Sequence, residues 1–220
     1  MLLINRVLDD EDLKRVTALF DEMRLTDGKQ TAGAAARKVK SNQQADWRDP
    51  KAIALRGFLR KAMERHPLFM SYVRPAKWSR LILSRYGVGN AYGMHTDDAM
   101  MKDETGGHLR TDLSFTLFLS PRHTYEGGAL SLESVEGVRD VRLEAGDMIV
   151  YRTGLLHQVT PVTEGERRAC VGWVQSQIRR DDQREVLFDL DQVRASLPES
   201  AQKLMVDKTV GNLLRMWSEV

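Results

Sequence analysis

Two histidines and one aspartate carry the most specific chemistry in this 220-residue chain. His95 and Asp97 stand two apart in RYGVGNAYGMHTDD, so on a strand both side chains point to one face. His157 follows sixty residues after Asp97, behind GDMIVYRTGLL. Two imidazoles and a carboxylate, two from one strand and the third from a later one, occupy one face of an octahedron and leave three positions open. That is the donor set of non-haem Fe(II) sites, where a co-substrate and O2 take the open positions. Neutral imidazoles with one carboxylate suit a borderline divalent ion better than calcium, which prefers oxygen ligands. Ten residues beyond His157 stands Arg167, in HQVTPVTEGERR. A guanidinium near the metal can hold the far carboxylate of a dicarboxylate co-substrate bidentately. Arg168 is adjacent and faces the opposite way on a strand, so only one of the two can serve; Arg167 is preferred.

The elements that must position these groups follow from the period of the apolar residues. Leu2 to Val7 alternates as a short strand. Asp9 or Asp10 caps a helix running to Met23, with Leu13, Val16, Leu19 and Phe20 at helical spacing. Residues 24–50 show little periodicity and read as a long loop, which in a compact domain is more often functional than idle. Asp49-Pro50 opens a second helix over 50–65. From Trp78 onward, SRLILSRY, DLSFTLFLS, GALSLES, VRDVRLEA, DMIVYRT, HQVTPVT and RRACVGWVQSQI read as seven short strands, the pattern of an antiparallel sandwich or barrel. After Ile178 the period is helical again. Val186, Leu187, Leu190 and Val193 form one stripe and Leu204, Met205, Leu213, Leu214 and Trp217 another, separated at Leu197-Pro198.

Composition narrows the class. Hydrophobic residues at 42% and charged residues at 29% are ordinary for a globular domain, and exclude collagen-like, disordered and disulfide-stapled chains. A net charge of +2 gives no ground for nucleic-acid binding. Cys170 is the single cysteine, so no internal disulfide forms and nothing suggests an oxidising compartment. No apolar run is long enough to span a bilayer, and MLLINRVLDDEDLKR turns acidic too early for a signal peptide. The expectation is a soluble cytoplasmic protein without nucleic-acid or membrane partners. Charge is nevertheless uneven. Arg37 to Arg80 holds twelve Lys/Arg against three Asp/Glu, and Asp97 to Asp147 holds eleven Asp/Glu against five Lys/Arg. This reads as a solvated basic face beside acidic loops, or as a basic rim that draws in an anionic ligand.

The motifs around the three candidate ligands resemble those of the Fe(II)- and 2-oxoglutarate-dependent dioxygenases, in the prolyl 4-hydroxylase-like branch. The pattern Y-x-x-G-x-x-Y-x-x-H-x-D is met by Tyr86, Gly89, Tyr92, His95 and Asp97, and G-G-x-L by Gly127, Gly128 and Leu130. Gly146, Asp147, Tyr151, His157, Pro161, Val162, Gly165 and Arg167 follow in the order of that branch, so the likeness spans about residues 78–178. In length, in the early loop TAGAAARKVKSNQQ and in the helical tail, the chain is similar to bacterial PKHD-type hydroxylases, where Arg is the common residue at the position of Arg167. The resemblance implies a mainly β fold, a double-stranded β-helix (jelly-roll) core with flanking helices and a C-terminal helical extension. It divides the chain into an N-terminal part packed on the core (1–77), a dioxygenase core (78–178) and the extension (179–220). It implies Fe(II) on His95, Asp97 and His157, 2-oxoglutarate on Arg167 with a hydroxyl hydrogen bond from Tyr86, and L-ascorbate as the reductant that rescues oxidised iron. The reaction is then hydroxylation of an unactivated C–H, with 2-oxoglutarate decarboxylated to succinate and CO2. The substrate is a peptidyl or amino-acid target or an iron-chelating small molecule.

Two other readings use the same residues. A cupin-like metalloenzyme shares the jelly roll but typically adds a third His and a Glu to its ligands. A non-catalytic module that senses iron or 2-oxoglutarate and signals through its helical tail would retain every ligand. Elsewhere, Asp98–Arg110 has the composition of a mobile lid, and Lys38, Lys40, Asn42 and Gln43 are the early-loop side chains with a route to the substrate. His108 and His123 read as exposed, Cys170 as packed, and Gly127-Gly128 as a plain turn. The two apolar faces of the tail suit packing on the core or a homodimer contact. Trp47 has no assigned role.

Overall fold

The computed structural model describes residues 1–31, 33 and 36–219. Ala32, Ala34 and Ala35 of the early loop, and Val220 at the end of the extension, lie outside the described residues. Strand β1 (Leu2–Ile4) leads to helix α1 (Asp10–Glu22), and the Asp9 carboxylate caps it by accepting the Asp12 N–H at 2.8 Å. The stretch read as a loop instead holds three short strands, β2 (Leu25–Asp27), β3 (Lys40–Ser41) and β4 (Gln43–Ala45). Their residues have little intrinsic preference for strand; backbone pairing with sheet edges recruits them. Helix α2 (Pro50–Arg65) starts as expected, its cap Asp49 accepting the N–H groups of Lys51 (2.8 Å) and Ala52 (3.2 Å). Helix α3 (Pro67–Val73) follows immediately, too short for periodicity to reveal.

The chain then enters β5 (Pro75–Trp78), β6 (Ile82–Tyr86) and β7 (Ala91–His95). Strands β8 (Met100–Lys102) and β9 (His108–Arg110) pair as a hairpin in the segment read as a lid. Next come β10 (Leu113–Phe118), β11 (Tyr125–Gly127), β12 (Leu130–Ser134), β13 (Gly137–Val141), β14 (Met148–Arg152), β15 (Leu156–Val159), β16 (Val162–Gly165) and β17 (Arg167–Ser176). Helices α4 (Asp181–Ser196) and α5 (Ala201–Trp217) close the chain.

The major sheet runs β1-β14-β10-β17-β6-β4-β2, with β5 also on β17; the minor sheet runs β13-β12-β15-β7-β3. The N-terminal strands thus complete both sheets. Phe118, Ile149 and Tyr151 of the major sheet pack against Leu130, Leu132 and Val141 of the minor one, giving the two-layered jelly roll. The other face of the major sheet is covered by helices. Leu113, Phe115 and Leu117 of β10 and Cys170 and Val174 of β17 join Val16, Phe20, Leu55, Leu59 and Phe69 in one core. Every residue of β10 is therefore buried, while alternation sends Ser114, Thr116 and Phe118 to the opposite side, toward the minor sheet. Cys170 is packed as expected.

Part of the basic segment is taken up in structural contacts. Arg56 is buried and donates to the carbonyls of Leu81 (2.9 Å) and Ala45 (3.2 Å). Arg74 pairs with Asp191 of α4, Arg60 with Glu104, and Lys51 with Glu22. Trp47 carries the guanidinium groups of Arg56 and Arg80 against its ring, at 4.6 and 5.0 Å. In the extension, α5 turns Val206, Val210, Leu213, Leu214 and Trp217 toward Ile178, Leu187 and Leu190. Leu204 and Met205, expected in that stripe, are 69% and 63% exposed, as Val186 and Val193 are also largely exposed. The inner face is set by contact with α4 and Ile178, which the helical period alone does not reveal.

Asp49 also accepts the Arg24 N–H (2.8 Å), tying α2 to the segment before β2. Asp49→Ala should lower the unfolding free energy by about 1–2 kcal/mol, the cost of a lost helix cap, read as a shifted urea midpoint at unchanged slope.

Candidate active site

Strand pairing brings the two histidines together. In the β7–β15 ladder His95 lies directly across from His157, and Tyr92 across from Val159. Gly93 and Met94 of β7 thus oppose the single Gln158 of β15, a bulge that turns Tyr92 and His95 to the same side although they are three apart. The Tyr92 ring consequently stacks on the His95 ring at 3.7 Å between centroids. Gly93 lies in this bulge, with its Cα so near Val39 that a Cβ there would come within 2.9 Å of the Val39 Cβ.

Each imidazole is held by its own backbone. His95 Nδ1 donates to the Gly93 carbonyl (2.8 Å) and His157 Nδ1 to the Leu155 carbonyl (3.0 Å). Both rings therefore keep their Nε2 lone pairs free, and these point toward Asp97: His95 Nε2 is 3.8 Å from one carboxylate oxygen and His157 Nε2 3.6 Å from the other. One donor atom from each of the three residues lies within 4.8 Å of the others, a set that a single ion can bridge. Burial, and then the neighbouring His157, push the His95 pKa down to about 4, so the ring is neutral at physiological pH as a metal ligand must be. Strand β7 ends at His95, so Asp97 belongs to the segment after it rather than to the strand itself. Its position comes from the major sheet: Asp97 Oδ2 accepts the Trp173 indole N–H (2.8 Å) and the Ser114 hydroxyl (3.1 Å).

Arg167 and Arg168 part as alternation on β17 requires. Arg168 faces α1, paired with Asp21 and Glu166 at 2.6 Å each and lying over the Phe20 ring. Arg167 faces the interior, is 1% exposed, and sits between the Tyr86 and Phe118 rings at 5.3 Å from each. Its Nε has no hydrogen-bond partner, and among the described residues no carboxylate lies within ion-pair distance of the guanidinium. Gly128 makes room for it: a Cβ there would meet Arg167 Cδ at 3.0 Å, and its φ of +60° suits glycine. Gly128 is therefore more than a plain turn residue. Tyr86, opposite Arg167 in the β6–β17 ladder, is buried, which pushes its phenol up to about 12 and keeps it protonated.

His95, Asp97, His157, Tyr92, Ser114, Trp173, Arg167 and Tyr86 line one cavity of about 260 Å3, together with Lys40, Gln44, Ser84, Thr116, Tyr151 and Met101 of the β8–β9 hairpin. Of the early-loop candidates, Lys40 reaches it; Lys38 and Gln43 are exposed and Asn42 is buried outside its lining. His108 and His123 are exposed and away from it, as expected. Ser114, Thr116 and Trp173 went unremarked in the sequence. Two hydroxyls at alternate positions of an otherwise apolar strand, and an indole six residues after Arg167 on the same strand face, were the available signals.

Comparison with known proteins agrees with this geometry. Residues 81–175 match the family model of the 2OG-Fe(II) oxygenase superfamily, and residues 181–219 that of the PKHD-type hydroxylase C-terminal domain. The chain is 45% identical over 225 residues to a PKHD-type hydroxylase of Hyphomonas neptunium, covering 100% of both sequences. It is likewise 45% identical to one of Maricaulis maris, over 98% of each. The chain belongs to the PKHD-type hydroxylases. Among solved structures, the prolyl hydroxylase of Trichoplax adhaerens in complex with a hypoxia inducible factor peptide fragment superposes with a TM-score of 0.55 at 17% identity, covering 84% of this chain and 86% of that one. HygX of Streptomyces hygroscopicus, with nickel and 2-oxoglutarate bound, gives 0.56 at 13%, covering 80% and 83%. These two show the shared fold. The PKHD-type hydroxylase described here is thus an Fe(II)- and 2-oxoglutarate-dependent enzyme, which sets aside the cupin-like and non-catalytic readings. Among the described residues, no helix is long and apolar enough to cross a membrane.

Trp173→Phe removes the indole N–H from Asp97 while keeping an aromatic ring in place. The expected result is a ten- to hundredfold loss of Fe(II) affinity with the fold retained, measured by anaerobic calorimetric titration.

Proposed function

We propose that His95, Asp97 and His157 hold Fe(II) and that Arg167 receives the distal carboxylate of 2-oxoglutarate. The observation that carries this reading is a guanidinium buried without a counter-ion in the cavity that the three ligands share. A buried, unpaired charge is too costly to keep without use, and a dicarboxylate removes that cost by bringing the missing anion. The donor set fits the metal: two imidazoles with free Nε2 atoms and one carboxylate whose second oxygen is already engaged. Bound together there, Fe(II), 2-oxoglutarate and O2 supply the oxidising power that places a hydroxyl on an unactivated C–H as the co-substrate becomes succinate and CO2.

The chain's own residues do the positioning. The backbone carbonyls of Gly93 and Leu155 fix the imidazole tautomers. Trp173 and Ser114 hold Asp97 by one oxygen and leave the other for the metal. Tyr86, protonated and beside Arg167, donates a second hydrogen bond to the distal carboxylate. Leu130, Val159 and Val171 supply apolar wall that keeps bulk water out. The enzyme acts in the cytoplasm, with L-ascorbate restoring iron oxidised in uncoupled turnovers, on a peptidyl or amino-acid target or an iron-chelating small molecule. The exposed Leu204, Met205 and Met216 of α5 suit a homodimer contact.

Arg167→Ala should raise the KM for 2-oxoglutarate thirty- to a hundredfold, about 2–3 kcal/mol for a charge-assisted bidentate pair, without weakening Fe(II) binding. Arg168→Ala should leave that KM within twofold of wild type. The two variants are compared by substrate-independent 2-oxoglutarate consumption; a reversed order would refute the anchor.

A further inference from the structure

The cavity holds a second cation that the assigned chemistry does not use. Lys40 comes from β3, at the edge of the minor sheet, where it pairs with Tyr92 of β7. Arg167 comes from the major sheet, so the two cations enter the cavity from different layers. Lys40 is 5% exposed. Its Nζ lies 4.8 Å above the centre of the Tyr92 ring, the same ring that stacks on His95, and donates to the Thr31 hydroxyl at 3.1 Å. Thr31 in turn donates to the Gln44 side-chain oxygen (2.6 Å). These contacts are all with neutral groups. Among the described residues no carboxylate lies within ion-pair distance of Lys40; Asp97 and Asp27 act on it only from further away. Burial pushes its pKa down to about 8, so the ammonium form still predominates at neutral pH.

The charges of the loaded site leave this ammonium over. Asp97 offsets one charge of a divalent ion, and 2-oxoglutarate brings two negative charges, one for the ion and one for Arg167. Nothing remains for Lys40. Taking the assignments of Fe(II) and 2-oxoglutarate above as given, we propose that Lys40 binds a carboxylate carried by the substrate, so that the enzyme hydroxylates a small carboxylate-bearing molecule. The substrate's anionic group would lie against the Lys40 ammonium and the Thr31 hydroxyl, on the Tyr92 side of the metal. The reacting C–H would lie within a few bonds of that group.

The test uses enzyme loaded with Mn(II) and the inert co-substrate analogue N-oxalylglycine, titrated calorimetrically with N-acetyl amino acids and with the primary amide of each. Binding of Mn(II) and N-oxalylglycine is measured first; its failure would strike at the cofactor assignment rather than at Lys40. In wild type, one or more acids should bind at least tenfold more tightly than the matched amide. Lys40→Met should abolish that preference and Lys40→Arg should retain part of it, while both variants keep wild-type affinity for N-oxalylglycine. Equal binding of acid and amide throughout the wild-type series would overturn the proposal. So would a preference that survives in Lys40→Met, or a tenfold loss of N-oxalylglycine affinity in that variant, which would make Lys40 a second 2-oxoglutarate anchor.

Discussion

The pairing of β7 with β15, which sets His95 across from His157, is the constraint on which the rest of the site depends. A ladder places opposite side chains within a few ångströms of each other on one face, with no loop to hold them. The bulge at Gly93 then does two things at once. It turns Tyr92 onto the His95 ring, and it offers the Gly93 carbonyl to His95 Nδ1. A shift of one residue in this register would send His157 to the other face and dissolve the triad. The minor sheet therefore carries both imidazoles, whereas the carboxylate is steadied from across the cavity by Trp173 and Ser114 of the major sheet.

That division of labour needs a major sheet that is dry on one side and polar on the other. Helices α1, α2 and α3 cover its outer face, so Leu113, Phe115, Leu117, Cys170 and Val174 can be wholly apolar. The same strands then give their remaining positions to Ser114, Thr116, Arg167 and Trp173. A strand buried on both faces usually reads as a continuous apolar run. Here the inner face departs from that pattern, and these four polar departures all line the cavity. The burial of Arg167 without a carboxylate beside it carries a desolvation cost that the rest of the fold must offset.

The two-layer fold and the grouping of His95, Asp97 and His157 were legible because both rest on local periodicity and on residue types with few other uses. Strand alternation says that only one of Arg167 and Arg168 can face the cavity, and the motif resemblance favoured Arg167; the structure turns Arg167 inward and Arg168 toward α1. What escaped the sequence depends on tertiary pairing. Strands β2, β3 and β4 consist of residues with weak strand preference and exist because sheet edges recruit them, so a region read as a loop supplies Lys40 and Gln44 to the cavity. The inner face of α5 is fixed by contact with α4, which made Leu204 and Met205 misleading. Of the basic stretch, Lys51, Arg60, Arg74 and Lys77 are paired with carboxylates and Arg56 with backbone carbonyls, while Lys40 is the one of its cations that lines the cavity among the described residues. Trp47, without a role in the sequence, is the platform for two of those arginines.

The triad and Arg167 are proposed to bind Fe(II) and a chelated 2-oxo acid together in one site. An anaerobic titration, Fe(II) first and 2-oxoglutarate second, reads this directly through the weak visible charge-transfer band of the chelate. The band is expected in wild type, absent in Asp97→Ala, and bleached when O2 is admitted. Iron demonstrably bound without the band, at saturating 2-oxoglutarate, would contradict the claim.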